Sequence, residues 1–192
     1  MYKRLTIQDK VRVPPQHLGE DVDESVKSGL ESEVEGTINP DIGVIIGVEE
    51  INSIEGGDIV PEDAGVHYEV EYKAIVFEPE LHEIVFGEVV DITDFGAFVR
   101  IGPFDGLCHV SQVMDEYVNM DEENNMLVSE ENQFTLGIGD VLTARLIAVS
   151  LDNHDTNKIN LTMRQPGLGK KEWIEQYEEE QAEEEESEAE AE

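Results

Sequence analysis

GEVVDITDFGAFVRIGPFDGLCHVSQ, the stretch from Gly87 to Gln112, decides the fold of the second half of the chain. Its short apolar runs are separated by glycine and aspartate, a pattern typical of β-strands joined by tight turns. Five short strands are predicted in this half of the chain, at residues 84–92, 95–101, 107–110, 141–149 and 158–163. Five such strands with one longer excursion, residues 114–138, favour a small closed barrel. The excursion is polar, and we interpret it as a surface insertion.

Two aromatic residues in this stretch, Phe95 and Phe98, stand three apart around a glycine. Strict alternation would send them to opposite faces of a strand, whereas a bulge at Gly96 would return them to one face. Two exposed rings on one sheet face form a platform on which nucleic-acid bases stack. His109, on the neighbouring predicted strand, can stack or bond a phosphate. The alternative is that both phenylalanines are core residues, and these residues taken alone favour that interpretation.

The first half of the chain predicts a sheet with one helix. Polar and apolar residues alternate over residues 2–13 until Pro14-Pro15 ends the predicted strand. Residues 20–34 carry apolar side chains at every fourth position, as on one helix face. Residues 43–48 predict a short buried strand, residues 52–65 a long exposed loop, and residues 66–76 a half-buried strand of strict period two. We therefore predict an α+β protein with an N-terminal domain at 1–80, the barrel at 81–165, a packing segment at 166–177 and a disordered acidic tail at 178–192.

Acidic residues dominate the composition. The 192 residues include 46 Asp and Glu against 12 Lys and Arg, which gives a formal charge of -34. Without the last fifteen residues, 36 acidic residues still face 12 basic ones, so the acidity is not confined to the tail. Such a chain repels itself strongly in dilute buffer, and salt near 1 M shortens the screening length to about 3 Å. We interpret the composition as adaptation to a salt-rich cytoplasm; an ordinary acidic protein with an acidic tail is the alternative.

Several classes of protein are excluded or disfavoured. No run approaches the roughly 20 apolar residues of a membrane span, and residues 1–10 do not resemble a secretory signal. The single cysteine, Cys108, excludes an internal disulfide and any zinc site with two thiolates, so we expect a reducing, cytoplasmic location. The five histidines lack metal-ligand spacing and no phosphate-binding glycine loop is present, so we expect no metal, no cofactor and no catalytic site.

Three motifs make the second half resemble the RNA-binding module first described in ribosomal protein S-one, a five-stranded OB-fold barrel. They are G-x-V-x-x-I at 87–92, D-F-G-A-F-V at 94–99 and G-L-x-H-V-S at 106–111; K-I-N-L-T-M-R at 158–164 resembles the module's last strand. The resemblance implies RNA contacts at Phe95, Phe98, His109 and Lys158. It also implies an aspartate shortly before Lys158, for which Asp152 and Asp155 both qualify.

The whole chain to about residue 175 resembles a further family, the E-prime stalk subunits of archaeal DNA-directed RNA polymerase, whose eukaryotic counterpart is the larger stalk subunit of polymerase II. The similarity is carried by MYKRLTIQDKVRVPP, DIGVIIGVEEI, YEVEYKAIVFEPELHEIVFGEV and TMRQPGLGKKEWI, and it fails in the insertion and the tail. It implies a truncated RNP-like N-terminal domain that docks near the polymerase clamp. It also implies a small stalk subunit and the core polymerase as partners, a non-catalytic role in promoter opening, and a barrel that binds nascent single-stranded RNA.

Three other classes remain as alternatives. An exosome cap subunit or the alpha subunit of an archaeal translation initiation factor would share the barrel, but the first adds a second RNA-binding domain or zinc ribbon and the second begins with the barrel. A ribonuclease with an appended barrel would need an active site within the remaining 80 residues. In a purely structural role the barrel would never touch RNA.

Overall fold

The computed structural model describes residues 1–17, 21–121, 123–130, 134–151 and 157–177. Within these residues the chain divides into two compact units: the first contains Met1–Pro79, and the second contains Glu80–Ser150 and residues 157–177. The tail predicted at 178–192, and both Asp152 and Asp155, lie outside the described residues. No described helix is long and apolar enough to cross a membrane.

The first unit is a four-stranded antiparallel sheet with a single α-helix, α1, at Val22–Val34. The strands lie in the order β1-β4-β3-β2 and comprise β1 (Tyr2–Val13), β2 (Ile38–Asn39), β3 (Gly43–Ile59) and β4 (Val66–Phe77). Helix α1 begins at Val22, two residues after the start of the predicted stretch, and the Asp21 carboxylate caps it by accepting a hydrogen bond from the backbone N–H of Asp23 at 3.3 Å. Its buried face packs on the sheet through Val26, Leu30 and Val34, which lie four residues apart.

The strict alternation predicted for β4 is confirmed, because Val70, Tyr72, Ala74 and Val76 are all buried against the helix side of the sheet. The loop predicted at 52–65 is wrong: β3 continues to Ile59, and only residues 60–65 form the connection to β4. The β3–β4 pairing contains four register shifts, the last beside two glycines with positive φ. The acidic, glycine-rich segment is therefore held as a strand by pairing with β4.

Asp63 fixes the β3–β4 connection to the neighbouring strand β1. The guanidinium of Arg12 donates two hydrogen bonds to its carboxylate, at 2.8 and 2.6 Å, and the backbone N–H of Gly65 donates a third at 3.0 Å. The imidazole of His67 lies 3.0 Å from the same carboxylate. These hydrogen bonds, that of Arg12 foremost, lower the pKa of Asp63 far below its ordinary range.

The second unit contains the predicted barrel. Five strands form it: β5 (Ile84–Thr93), β6 (Gly96–Ile101), β7 (Phe104–His109), β11 (Val141–Ser150) and β12 (Lys158–Thr162). They pair in the order β12-β7-β6-β5-β11, and an additional β12–β11 pairing closes the barrel. Strand β12 runs parallel to β7, while the other barrel pairings are antiparallel. The inward side chains are small or aliphatic, among them Val89, Ala97, Val99, Leu146 and Leu161.

The excursion at 114–138 is not simply a polar surface segment. It forms a small antiparallel sheet of β8 (Val118–Asp121), β9 (Met126–Ser129) and β10 (Thr135–Gly137). Leu127 and Leu136 face each other in this sheet and are each only 1% exposed. The insertion therefore has a local apolar core, although most of its residues are polar.

The segment after the barrel packs on this insertion. The short strand β13 (Gly169–Lys170) pairs with β11, and residues 171–177 are helical. The sequence predicts that the segment 166–177 packs back on the barrel, and within it the indole of Trp173 is buried. It stacks on Phe134, which lies in the excursion, with ring centroids 5.5 Å apart.

Candidate nucleic-acid interface

The turn between β5 and β6 places Phe95 on the outside of the barrel. Asp94 and Phe95 form this turn, and the hydroxyl of Thr93 closes it by donating to the carbonyl of Gly96 at 2.9 Å. The carbonyl of Phe95 accepts a hydrogen bond from the backbone N–H of Val110 at 3.0 Å, which fixes the turn to the end of β7. The ring of Phe95 is 45% exposed and is therefore available to a ligand.

Phe98 lies on the outer face of β6 and is half-buried, while its neighbours Ala97 and Val99 point into the barrel. The rings of Phe95 and Phe98 meet edge to face, with centroids 6.0 Å apart. The structure therefore places both rings on one face, as the sequence predicts. Neither ring is buried in the core, so the alternative that both are core residues does not hold.

The expected bulge at Gly96 is wrong. The β5–β6 pairing is regular at Gly96, and its one register shift lies in β5, between Val89 and Asp91. The two rings share a face because Phe95 precedes the strand, in the turn, where strand alternation does not apply. Gly96 is required for another reason: a Cβ at this position would stand 2.3 Å from the carbonyl oxygen of Cys108.

His109 lies opposite Gly96 on β7 and is exposed on the same outer face. Its Nδ1 accepts a hydrogen bond from the backbone N–H of Ser111 at 3.2 Å, and so caps the 3-10 helix Val110–Gln112. A neutral imidazole bonded in this way carries its proton on Nε2. That nitrogen can then donate to a phosphate or base oxygen, so the cap orients the imidazole as a donor.

Cys108 plays no part in this face. Its side chain is buried inside the barrel, while that of His109 is exposed, as expected for neighbours on a strand. Burial raises the pKa of the Cys108 thiol to about 12, so the thiol stays protonated near neutral pH. Cys108 is therefore a small core residue, and its side chain points away from that of His109.

Lys158 lies at the other end of the same face. Phe98 pairs with Leu107, and Leu107 pairs with Asn160 of β12, so these three residues form one row across the outer surface. Lys158 precedes Asn160 by two residues, or about 7 Å along the strand, in the direction away from His109. The structure thus brings Phe95, Phe98 and His109 together and leaves Lys158 on the far side of the Phe98 row.

Carboxylates surround the ring cluster. Asp91 pairs with Phe98 across β5 and β6 and is exposed, and Asp94 is exposed in the turn beside Phe95. In the next row of β6, on the Lys158 side of Phe98, the guanidinium of Arg100 donates hydrogen bonds of 3.0 and 3.3 Å to Asp105. The face therefore offers rings and one imidazole for stacking, with little net positive charge to attract phosphates.

Two residues of this region were missed as site residues. Ser111 orients His109, and Arg164 donates to the carbonyl of Ser111 at 3.4 Å, which places its guanidinium at the His109 end of the barrel. The signal for both was available, because Ser111 ends the G-L-x-H-V-S motif and Arg164 ends K-I-N-L-T-M-R. Their proximity depends on the backbone of Met163 donating to the carbonyl of Gln112, a tertiary contact that no local pattern predicts.

Two known domain families match the chain. The SHS2 domain found in the N terminus of Rpb7p/Rpc25p/MJ0397 matches residues 8–64, and the S1 RNA binding domain matches residues 78–164. The first match lies in the sheet-and-helix unit, and the second contains the barrel with its ring cluster. The fold is therefore an RNP-like SHS2 domain followed by an S1-type OB-fold domain.

Three relatives of this chain are DNA-directed RNA polymerase subunits, two of them matched over nearly its full length. Rpo7 of Sulfolobus acidocaldarius is 36% identical over 176 residues, covering 92% of this chain and 96% of that protein. Rpo7 of Saccharolobus solfataricus is 35% identical over 177 residues, covering 92% and 98%. The RNA polymerase II subunit rpb7 of Dictyostelium discoideum is 31% identical over 103 residues, covering 54% and 60%. With both domains and nearly the full length of the archaeal relatives matched, the chain belongs to the Rpo7/Rpb7 family of RNA polymerase subunits.

Proposed function

We propose that this chain is a non-catalytic stalk subunit of a DNA-directed RNA polymerase. It forms a heterodimer with a small stalk subunit, docks on the core enzyme near the clamp through its N-terminal domain, and aids promoter opening. The observation that carries the proposal is the similarity to archaeal Rpo7 over 92% of the chain, across both domains. The salt-rich cytoplasm inferred from the composition is the setting in which we expect it to act.

The barrel holds the emerging transcript in this proposal. Phe95 and Phe98 stack on bases, and the Nε2 of His109 donates to a phosphate or base oxygen. Each base stacked on an aromatic ring contributes about 1–3 kcal/mol, and every base has a face that can stack, so we expect weak binding with little sequence preference. Lys158, at the far end of the face, is the remaining RNA contact that we propose, as a single phosphate partner.

Few basic residues support phosphate binding on this unit. The described ones are Arg100, Arg145, Lys158, Arg164, Lys170 and Lys171. Of these, Arg100, Arg164, Lys170 and Lys171 each form an ion pair with a carboxylate of the same unit. Stacking depends less on salt than ion pairing does, so a ring-based site is suited to the concentrated salt that the acidic composition favours.

A pull-down tests the assembly part of the proposal. The tagged chain is expressed in a salt-adapted archaeal host, recovered at about 2 M KCl, where screening is nearly complete, and its partners are identified by mass spectrometry. We expect a small stalk subunit and the large polymerase subunits. The double variant Phe95→Ala, Phe98→Ala is the matched control and should recover the same partners. Recovery of exosome or ribosomal proteins without polymerase would overturn the proposal.

A further inference from the structure

Two hydrogen bonds link His109, at one end of the ring cluster, to Arg164. His109 accepts from the backbone N–H of Ser111, and the carbonyl of Ser111 accepts from the guanidinium of Arg164 at 3.4 Å. Arg164 is held from its other side by Asp115, whose carboxylate accepts from Nε at 2.6 Å. The Arg164 guanidinium is therefore linked to the imidazole through one intervening residue, Ser111. It lies at the end of the face opposite Lys158.

An exposed aromatic residue lines the same open cavity as Arg164. Tyr117 is 80% exposed, the largest exposed fraction among the large apolar and aromatic side chains that the structure describes. Tyr117 and Arg164 line one open cavity of about 310 Å³, together with Val110, Ser111 and the acidic residues Asp115 and Glu116. Exposure of so large a ring costs apolar contact, and a ring next to a fixed cation suits a nucleobase followed by its phosphate.

We propose that the RNA surface extends from Phe95, Phe98 and His109 over Ser111 to a second subsite made by Arg164 and Tyr117. This inference rests on the RNA-binding function proposed above. Arg164 binds a phosphate of single-stranded RNA, and Tyr117 stacks on an adjacent base. Tyr117 lies in the insertion, outside the barrel motifs, whereas Arg164 ends the K-I-N-L-T-M-R stretch at 158–164.

The carboxylate of Asp115 competes with the phosphate for Arg164. Asp115 is 71% exposed and Arg164 is 43% exposed, so RNA can reach the guanidinium without breaking the core. The ion pair orients Arg164 in the free protein, and it also places a negative charge beside the expected phosphate position. Removal of that charge should therefore strengthen RNA binding, which is the opposite of what loss of a purely structural ion pair would do.

Oligonucleotide length separates the two subsites. Affinity of the full chain is measured at high salt by fluorescence anisotropy, using labelled oligouridines of about 4 and about 12 nucleotides, the range of site sizes known for OB folds. Tyr117→Ala and Arg164→Gln should each weaken binding of the longer probe about tenfold and leave the shorter probe unchanged. Tyr117→Phe keeps the ring and should bind both probes as the unmodified chain does.

Two controls test whether the effects are local. Phe86 is another exposed ring, on the outer face of β5 and three rows of residues away from His109, so Phe86→Ala should change neither affinity. Asp115→Asn should tighten binding of the longer probe several-fold. Glu69→Gln also removes one negative charge, from the exposed ion pair with Lys10 in the first unit, and it should not change the affinity for the longer probe. Equal tightening by both would mean a general charge effect and would overturn the subsite.

The outcomes distinguish this inference from the proposed function. If Phe95→Ala weakens both probes while Tyr117→Ala and Arg164→Gln change neither, the second subsite is wrong and the first stands. If Tyr117→Ala weakens the shorter probe as much as the longer one, Tyr117 belongs to the first subsite and the extension is again wrong. If Phe95→Ala also changes neither probe, the RNA-binding function itself fails.

Discussion

The ring of Phe95 meets the ring of Phe98 edge to face, with planes at 87° and centroids 6.0 Å apart. Such a contact sets the positive edge of one ring against the negative face of the other, which fixes the orientation of both. Phe95 nevertheless remains 45% exposed, although a core phenylalanine would be fully covered. The pair is therefore pre-oriented before any base arrives, so little side-chain freedom remains to be lost on binding.

Phe95→Ala should weaken binding of single-stranded RNA by about 1–3 kcal/mol, the range measured for loss of one stacked base. The free energy of unfolding should change little, because much of the ring is already in water. Anisotropy with labelled RNA and a denaturant titration measure the two quantities, with Phe86→Ala as the control. A loss of about 3–5 kcal/mol of stability with unchanged RNA affinity would instead support the core interpretation of this ring.

Gly96→Ala should destabilise the barrel by about 1–3 kcal/mol, the usual range for forced overpacking. The new Cβ would stand 2.3 Å from the carbonyl oxygen of Cys108 and 2.9 Å from the Cα of His109, and backbone cannot move aside easily. The control is Gly137→Ala, where the nearest atom would be 3.8 Å away. Urea unfolding at high salt should therefore separate the two variants; equal midpoints would contradict the close approach of β6 and β7.

Acid should weaken the first unit through Asp63. Its pKa is lowered on folding, chiefly by the hydrogen bonds from Arg12, so its contribution to stability is present above the ordinary value of 3.8 and is lost as the pH falls below it. Asp63→Asn removes this contribution at neutral pH. The stability difference between the unmodified chain and the variant should therefore be largest near pH 7 and shrink below about pH 4. A difference that stays constant from pH 7 to about pH 2 would contradict the charge-based account.

Salt should strengthen RNA binding or leave it unchanged. RNA and a chain of formal charge -34 repel each other in dilute buffer, and the repulsion is screened as salt rises. We expect the affinity at about 2 M KCl to equal or exceed that at about 0.1 M, with circular dichroism as the check that the chain is folded at both. An affinity that falls steeply with salt, by several powers of ten, would show that phosphate neutralisation dominates over stacking.

The barrel was predictable because its signals are local. Strands β5, β6 and β7 pair with one another through short turns, and the glycines and apolar runs that mark the barrel strands lie within the motifs themselves. The ring cluster was predictable for the same reason, since Phe95 and Phe98 belong to one hairpin. The reason why the two rings share a face was not predictable, because it is the turn that Thr93 closes and not a bulge.

The rest depended on partners distant in sequence. Residues 52–59, NSIEGGDI, hold two glycines and two acids and carry little strand preference of their own. They form the end of β3 because twelve residues of β4 pair with that strand. Similarly, Leu127 and Leu136 show no visible period, and only the pairing of β9 with β10 brings them together. Arg164 reaches the His109 end of the barrel through a contact between Met163 and Gln112, 51 positions apart in the chain.

Crosslinking of nascent RNA in the reconstituted polymerase tests the central claim most directly. Transcripts carrying a photoreactive base are extended on the complete enzyme, assembled with either the unmodified chain or the double variant Phe95→Ala, Phe98→Ala. We predict that the unmodified chain crosslinks to RNA once the transcript has emerged, and that the variant assembles equally well but loses most of the crosslink. Equal crosslinking by a folded, fully assembled variant would contradict the assignment of this face to RNA.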